Sequence, residues 1–203
     1  MARKRKEKKT KYQVAIIGEG PTEWHYFNDM KQVKRFPYKI TPDLPKHSDY
    51  KCIFSKAKKL VNEGFNLVFC VLDLDVFKAD AKKEEKYINE KNKLEKNDRI
   101  IVCETMPCIE YWFLIHYKKK YSSKIYPNYS SLEKELKKYL PKYEKSNEYL
   151  KKIKIFQTLT KSGDMEKAVE FSEQLRQEKE DSDNNLFPFS EIDLLLKKLI
   201  KTV

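Results

Sequence analysis

Three short apolar runs stand out in the pattern of hydrophobic and polar positions along the chain. They are Val14–Ile17, Leu67–Leu72 and Ile100–Cys103, and each is followed within two residues by a carboxylate. Continuous apolar runs of this length, separated by helix-like segments, are typical of parallel strands that are buried on both faces of a sheet. Ligands bind such sheets at the carboxyl ends of the strands, so the acids lie where a functional site is expected.

The segments between these runs carry helical signals. Pro21 and Glu23 suit the first turn of a helix after the first strand, and a short strand around Tyr38–Ile40 is expected in a proline-containing stretch. Apolar residues recur at helical spacing from Ile53 and stop at Gly64. Two further helices are predicted, a mostly solvated one over residues 79–97 and a buried aromatic one that starts at Pro107 and runs to residue 117.

The last third of the sequence predicts helices and no strong strand. Helical stretches are expected at Leu132–Leu140, Asn147–Leu159, Asp164–Lys179 and Ser190–Ile200. The predicted fold class is therefore α/β: a mostly parallel sheet flanked by helices, with a helical C-terminal extension. The predicted organisation is a basic flexible tail (residues 1–11), an α/β domain (12–120) and a helical extension packed on it (121–203).

Charge indicates the class of partner. The 203 residues include 43 Lys and Arg against 31 Asp and Glu, a formal charge of +12. Such a surface attracts polyanions and favours phosphate backbones, so nucleic acid is the leading partner class. Lysine is also a common solubilising residue, and charge alone does not decide between the two interpretations. Likewise, the basic tail (residues 1–11) is either a flexible arm that binds phosphate or a solvated segment that precedes the first strand.

The cysteines and the hydropathy pattern indicate a cytoplasmic setting. The four cysteines show no close-paired metal spacing, and Cys70 and Cys103 lie inside apolar runs, which fits a reducing cytosol. No apolar run approaches the ~20 residues that span a bilayer, and the N-terminus lacks the apolar core of a signal peptide. The sequence therefore predicts a cytoplasmic protein with no membrane partner.

Asp73 and Asp75 are the strongest candidates for metal ligands. Residues two apart in an extended chain point to the same face, so both carboxylates can hold one ion. Mg²⁺ takes one or two protein carboxylates and completes its shell with water and phosphate oxygens, and Glu19 completes a plausible cluster. Each aspartate is alternatively a turn or cap residue. Glu23 is alternatively an acid that satisfies the helix dipole.

Glu110 and His116 both lie on the predicted aromatic helix. Six residues along a helix place them roughly 120° apart around the axis and ~9 Å apart along it, so they do not easily bind one metal. Glu110 is nearer the predicted crevice, whereas His116 is either packed in the core or supports the site indirectly. His25 and His47 have no partner pattern and are expected to be exposed.

Four blocks of the sequence carry a family resemblance. Residues 16–27 (Ile-Ile-Gly-Glu-Gly-Pro-Thr-Glu-Trp-His-Tyr-Phe), 71–75 (Val-Leu-Asp-Leu-Asp) and 107–116 (Pro-Cys-Ile-Glu-Tyr-Trp-Phe-Leu-Ile-His) resemble, in order, the signature blocks of RloB-like proteins, a family of the TOPRIM-like group. Residues 187–195 are similar to the closing element of that family. One departure is Met106, because the family block usually has Asn before its Pro.

The resemblance implies a TOPRIM-like, Mg²⁺-dependent domain that cleaves nucleic acid. It implies bacterial defence or restriction-linked loci and an ABC-like AAA ATPase, or another defence-system subunit, as partner. In TOPRIM enzymes the acid of the first block acts near the scissile phosphate and the Asp-x-Asp pair holds metal. These roles map onto Glu19 and onto Asp73 and Asp75, with Glu23 as a second acid of the first block.

The leading hypothesis is a nuclease that uses Mg²⁺, with Mn²⁺ as an alternative, in anti-phage defence. Its predicted metal ligands are Glu19, Asp73 and Asp75, and its predicted catalytic residues are Glu19, Glu23 and Glu110. The second hypothesis is a non-catalytic subunit that binds nucleic acid or assembles a defence complex. A third is Mg²⁺-dependent phosphotransfer on nucleotides, although a P-loop ATPase is disfavoured because the sequence lacks that loop. The choice of RNA or DNA and self-association are left open.

Overall fold

The computed structural model describes residues 12–41, 49–78 and 80–202. The predictions for the basic tail and for His47 lie outside these residues. The strands are β1 (Val14–Gly18), β2 (Tyr38–Thr41), β3 (Leu67–Asp73), β4 (Ile100–Met106) and β5 (Phe189–Ser190). The helices are α1 (Pro21–Lys34), α2 (Tyr50–Asn62), α3 (Asp75–Lys78), α4 (Ala81–Leu94), α5 (Glu110–Ile115), α6 (Tyr129–Leu136), α7 (Asn147–Ile153), α8 (Ile155–Ser162), α9 (Met165–Glu180) and α10 (Ile192–Thr202).

The five strands form one sheet in the order β2-β1-β3-β4-β5. Strands β1 to β4 are parallel, and β5 pairs antiparallel with β4 at the edge. Every residue of β1 and β3 is buried, as expected for central strands covered by helices on both faces. The predicted α/β class with a mostly parallel sheet is confirmed.

The helices of the first 120 residues follow the sequence predictions closely. Helix α4 buries only Tyr87 and Leu94 and is largely solvated, whereas every residue of α5 is buried. In that buried layer, the indole Nε1 of Trp112 donates to the hydroxyl of Tyr26 at 2.8 Å. Pro107 lies before α5 rather than in its first turn, because the helix begins at Glu110.

The region beyond residue 120 differs from its prediction in two places. The stretch expected as one helix over residues 147–159 is two helices, α7 and α8, because Lys154 adopts a left-handed backbone conformation with a φ of 50°. The two-residue strand β5 lies in a region predicted to hold no strong strand, and it includes Ser190, where the last helix was expected to begin; that helix, α10, begins at Ile192. Across residues 12–41, 49–78 and 80–202, no helix has the length and apolar character that crossing a bilayer requires.

Candidate functional site

The carboxyl ends of β1 and β3 lie side by side in the centre of the sheet. Gly18, the last residue of β1, pairs with Val71 of β3, so Glu19 and Asp73 follow at the same edge. The two are in direct contact, since Oε2 of Glu19 accepts a hydrogen bond from the backbone N–H of Asp73 at 3.2 Å. The predicted convergence of the first and second acidic motifs is therefore a feature of the fold.

Glu19 is a carboxyl group whose charged form is disfavoured by its surroundings. Its pKa is raised to about 7, mainly by burial and also by the nearby carboxylates of Glu23 and Asp75, against the opposing hydrogen bond from the backbone of Asp73. A carboxyl group with this pKa exchanges its proton near neutral pH.

Glu23 lies in the first turn of α1 and is buried. Its Oε2 accepts a hydrogen bond from the backbone N–H of Gly20 at 2.7 Å, so it satisfies a donor at the helix start. Burial raises its pKa, and the carboxylate of Glu110 raises it further although Lys145 lowers it. Gly18 permits this packing, because a Cβ there would lie 2.6 Å from the Cβ of Glu23. Glu23 therefore both accepts a hydrogen bond at the start of α1 and lies among the acids of the site.

Asp73 and Glu110 bring potential ligand atoms close together in the site. Asp73, Cys108 and Glu110 each offer one potential ligand atom, and these three atoms lie within 4.8 Å of one another. Oδ1 of Asp73 accepts a hydrogen bond from the backbone N–H of Ile109 at 2.9 Å, which joins the end of β3 to the start of α5. Burial raises the pKa of Asp73 well above its usual value, with contributions from Glu23 and Glu110.

Glu110 contacts two residues of the C-terminal region that the sequence analysis did not identify. Its side chain is 0% exposed. Its Oε1 accepts a hydrogen bond from the hydroxyl of Tyr143 at 2.9 Å, and Nζ of Lys145 lies 3.2 Å from Oε1 and 3.4 Å from Oε2. Although burial lowers the pKa of Lys145, the carboxylates of Glu110 and Asp73 outweigh it and raise that pKa. Lys145 is therefore an ammonium ion within the site.

Asp75 completes a group that we call the acidic cluster. It begins α3, its backbone N–H donates to the carbonyl of Pro107 at 3.1 Å, and its charge contributes to the raised pKa of Glu19. The cluster consists of Glu19, Glu23, Asp73, Asp75 and Glu110.

Among the described residues, only one of the predicted metal ligands Glu19, Asp73 and Asp75, namely Asp73, belongs to the group whose potential ligand atoms lie close together. In the part of the chain that the structure describes, the three potential ligand atoms that come together belong to Asp73, Cys108 and Glu110. Glu19 and Asp75 adjoin this group without belonging to it, so their predicted ligand roles stay predictions.

The sequence profile of the RloB-like protein family matches residues 14–199. The chain belongs to the RloB-like family. No curated protein matches this RloB-like chain, and no solved structure does. The match covers β1 to β5 and all the residues of the acidic cluster, so the site lies within the part of the chain that defines the family.

The chemistry of the RloB-like site fits a hard divalent cation held by oxygen. The carboxylates of Asp73 and Glu110 are suitable ligands for Mg²⁺ or Mn²⁺, and Glu19 adjoins them. Burial raises the pKa of the Cys108 thiol well above its usual value, with contributions from Glu110 and Asp73. Sulfur is a soft ligand that suits Mg²⁺ and Mn²⁺ poorly, so the oxygen atoms carry the fit.

Three other residues noted in the sequence lie away from this arrangement. His116 is buried, packs edge-on against Trp112 and contacts its carbonyl oxygen at 2.7 Å, and burial lowers its pKa to about 4, so it is a neutral core residue. Glu104 does not end its strand, which continues to Met106. His25 is buried, and the expectation that it is exposed is wrong.

Glu104 also faces the opposite side of the sheet from Asp73. Asp73 pairs with Thr105 and Glu104 pairs with Leu72, and neighbouring residues of a strand point to opposite faces. Glu104 instead forms an ion pair with Lys91 at 2.9 Å and accepts a hydrogen bond from Tyr87 at 2.5 Å. The third carboxylate suggested by the apolar runs is therefore a structural residue, and Glu110 takes its place at the site.

Proposed function

We propose that this RloB-like protein is a metal-dependent nuclease that hydrolyses phosphodiester bonds in RNA or DNA. The observation that supports this most strongly is the convergence of five carboxylates at one edge of the sheet. Burial raises the pKa of three of them, Glu19, Glu23 and Asp73. A raised pKa means that the charged form of a carboxyl group is destabilised, and a bound cation stabilises that form. An acidic site that binds a cation suits phosphodiester chemistry.

In this proposal the carboxylates of Glu19, Asp73, Asp75 and Glu110 hold Mg²⁺ or Mn²⁺. Such an ion, when bound, polarises a phosphoryl oxygen and neutralises charge that develops on it. Glu23 supports the arrangement through its hydrogen bond to the backbone of Gly20, which fixes the start of α1 beside the other acids.

The proposed reaction forms a bond between a water oxygen and phosphorus and breaks the bond between phosphorus and one ester oxygen. The proton that leaves the water goes to Glu19 and from there to solvent, while the departing ester oxygen takes a proton from solvent and becomes a hydroxyl. Glu19 suits this exchange because its pKa lies at about 7. The Lys145 ammonium, which lies against Glu110, adds a positive charge beside the phosphate.

The formal charge of +12 supports a polyanionic substrate. Membership of the RloB-like family supports the biological setting. We therefore propose that the protein acts in the bacterial cytoplasm in anti-phage defence, regulated by an ABC-like AAA ATPase or another defence-system subunit.

The decisive experiment compares wild type with Asp73→Asn on total cellular RNA and on plasmid DNA, with Mg²⁺, with Mn²⁺ and with chelator. We expect cleavage by wild type that needs the divalent ion, and at least a 100-fold loss in Asp73→Asn. Asp183→Asn is the matched control, because it removes the same charge from an exposed aspartate. Equal cleavage by Asp73→Asn and wild type, or no cleavage with or without a partner subunit, contradicts the proposal.

The second candidate is a non-catalytic subunit that binds nucleic acid or assembles a complex. The Lys145–Glu110 ion pair favours it, because an internal ammonium already compensates part of the acidic charge. This alternative predicts binding that weakens with salt, needs no divalent ion and persists in Asp73→Asn. The same protein preparations therefore distinguish the two functions.

A further inference from the structure

A cavity lies between α1 and the junction of α7 and α8, against the part of α1 that follows Glu23. Its volume is about 400 Å³, within the range of roughly 300–1,000 Å³ that is typical of small-molecule pockets. The residues that line it include Trp24, His25, Asn28, Gln32, Lys151 and Lys154. We call it the Trp24 pocket.

Both walls of the Trp24 pocket lie close in sequence to residues of the site. On α1, Trp24 directly follows Glu23, and the five steps from Glu23 to Asn28 cover about 7.5 Å of helix axis. Helix α7 begins at Asn147, two residues after Lys145. Both walls of the pocket are therefore joined to residues of the site by short stretches of chain.

The two walls are joined by a direct contact. Nε2 of His25 lies 3.3 Å from Oδ1 of Asn147. Because α1 carries Glu23 and the segment before α7 carries Lys145, this contact also fixes the pocket relative to the cluster. The φ of 50° at Lys154 ends α7 and turns the chain at the rim.

The side chains of the pocket match the parts of a nucleotide. Trp24 is a partly buried indole, and aromatic rings of this kind stack on the faces of bases. The amides of Asn28 and Gln32 offer donors and acceptors for a base edge. Lys151 and Lys154, both exposed, supply positive charge for phosphate.

We propose that the Trp24 pocket binds one nucleobase of the nucleic-acid strand, with the base stacked on Trp24 and the adjoining phosphate contacted by Lys151 and Lys154. This inference rests on the proposed function, because it assumes that the substrate is a nucleic acid. It adds a subsite that holds the strand outside the acidic cluster.

The test measures binding in EDTA, so that no cleavage occurs. The probes are eight-nucleotide single strands of RNA and DNA, each compared with an abasic strand of the same length. Tryptophan fluorescence reports on the pocket, because Trp112 is 0% exposed and Trp24 is the tryptophan at the pocket. We expect the base-containing strand to change the fluorescence and to bind about 5- to 150-fold more tightly than the abasic strand.

The variants Trp24→Ala and Trp24→Phe test the same point on the protein. We expect Trp24→Ala to bind the base-containing strand as weakly as wild type binds the abasic strand, and Trp24→Phe to keep part of the difference. Tyr12→Ala is the matched control. This exposed aromatic residue precedes β1 and so lies at the amino end of the strand, whereas the pocket and the acidic cluster lie beyond its carboxyl end.

Equal affinity of wild type for base-containing and abasic strands overturns the inference, and this comparison needs no variant to fold. Binding of neither strand overturns it as well. The nuclease proposal fails on a different result, which is the absence of metal-dependent cleavage. A protein that prefers the base-containing strand but cuts nothing would retain the Trp24 pocket and lose the nuclease activity.

Discussion

Replacing Lys145 with Met removes the one positive charge that directly contacts Glu110 in the part of the chain that the structure describes. The Nζ atom lies 3.2 Å from Oε1 of Glu110, whose side chain is 0% exposed, whereas the lysine side chain is 31% exposed. Coulomb's law at an effective dielectric constant of about 20 gives an attraction of about 5 kcal/mol at that distance. Methionine keeps an unbranched side chain that is one heavy atom shorter, so the change is mainly one of charge.

The expected loss of stability is smaller than the attraction. Lys145 regains hydration in the unfolded chain, and the hydrogen bond from Tyr143 to Glu110 remains in the variant. Breaking a buried ion pair by removing one partner costs about 3–5 kcal/mol, and the partial exposure of Lys145 places this case near the lower value. A loss of about 3 kcal/mol lowers the Tm of a protein of this size by about 6–12 °C.

Urea and thermal unfolding at pH 7 measure this loss, with Lys142→Met as the matched control at an exposed lysine three positions earlier. We expect the control to stay within about 0.5 kcal/mol of wild type. Mg²⁺ should raise the Tm of Lys145→Met more than that of wild type, because the ion then has no ammonium to compete with. A Lys145→Met protein as stable as wild type would refute the compensating role of Lys145.

Three further predictions test other parts of the structure. Gly18→Ala should cost about 1–3 kcal/mol in urea unfolding, because the new Cβ would lie 2.6 Å from the Cβ of Glu23, and unchanged stability would contradict this packing. Lys91→Met should destabilise the protein by about 3 kcal/mol because it leaves Glu104 buried without its partner, yet any cleavage should persist, since Glu104 faces away from the cluster; a selective loss of cleavage would contradict this. Hydrogen bonds from Lys118 and Lys138 lower the pKa of Glu135 to about 2. Its contribution is therefore complete above pH ~4.5 and is lost as the pH falls through about 2, so Glu135→Gln should cost about 1 kcal/mol at pH 7 and clearly less at pH 2, and a loss that is the same at both pH values would contradict it.

The central sheet could be predicted from the sequence because its signal is local and strong. The runs that form β1 and β3 are continuous and apolar. A strand that is buried on both faces is apolar at nearly every position, so such a run is easily recognised in the sequence. The position of Glu19 beside Asp73 then follows from the adjacency of two parallel strands. Glu110 could also be predicted, because it follows the third apolar run, Ile100–Cys103, closely in the sequence.

The remaining features depend on contacts that are distant in sequence. Lys145 and Tyr143 lie in a lysine-rich stretch, and nothing in that stretch distinguishes a lysine that reaches a buried carboxylate from one in solvent. The left-handed conformation at Lys154 could not be predicted, because the position holds neither glycine nor asparagine, the residues that most often adopt it. Strand β5 is two residues long, too short for any periodicity, and exists because β4 offers it an edge.

Strand β5 ties the completion of the sheet to residues that are synthesised well after β4. Until Phe189 and Ser190 leave the ribosome, β4 has an open edge, and unpaired edges invite pairing with other chains. Glu110 likewise lacks its ion-pair partner until Lys145 has been synthesised. A nascent chain that has reached residue 120 therefore holds the acids of the site without its ammonium.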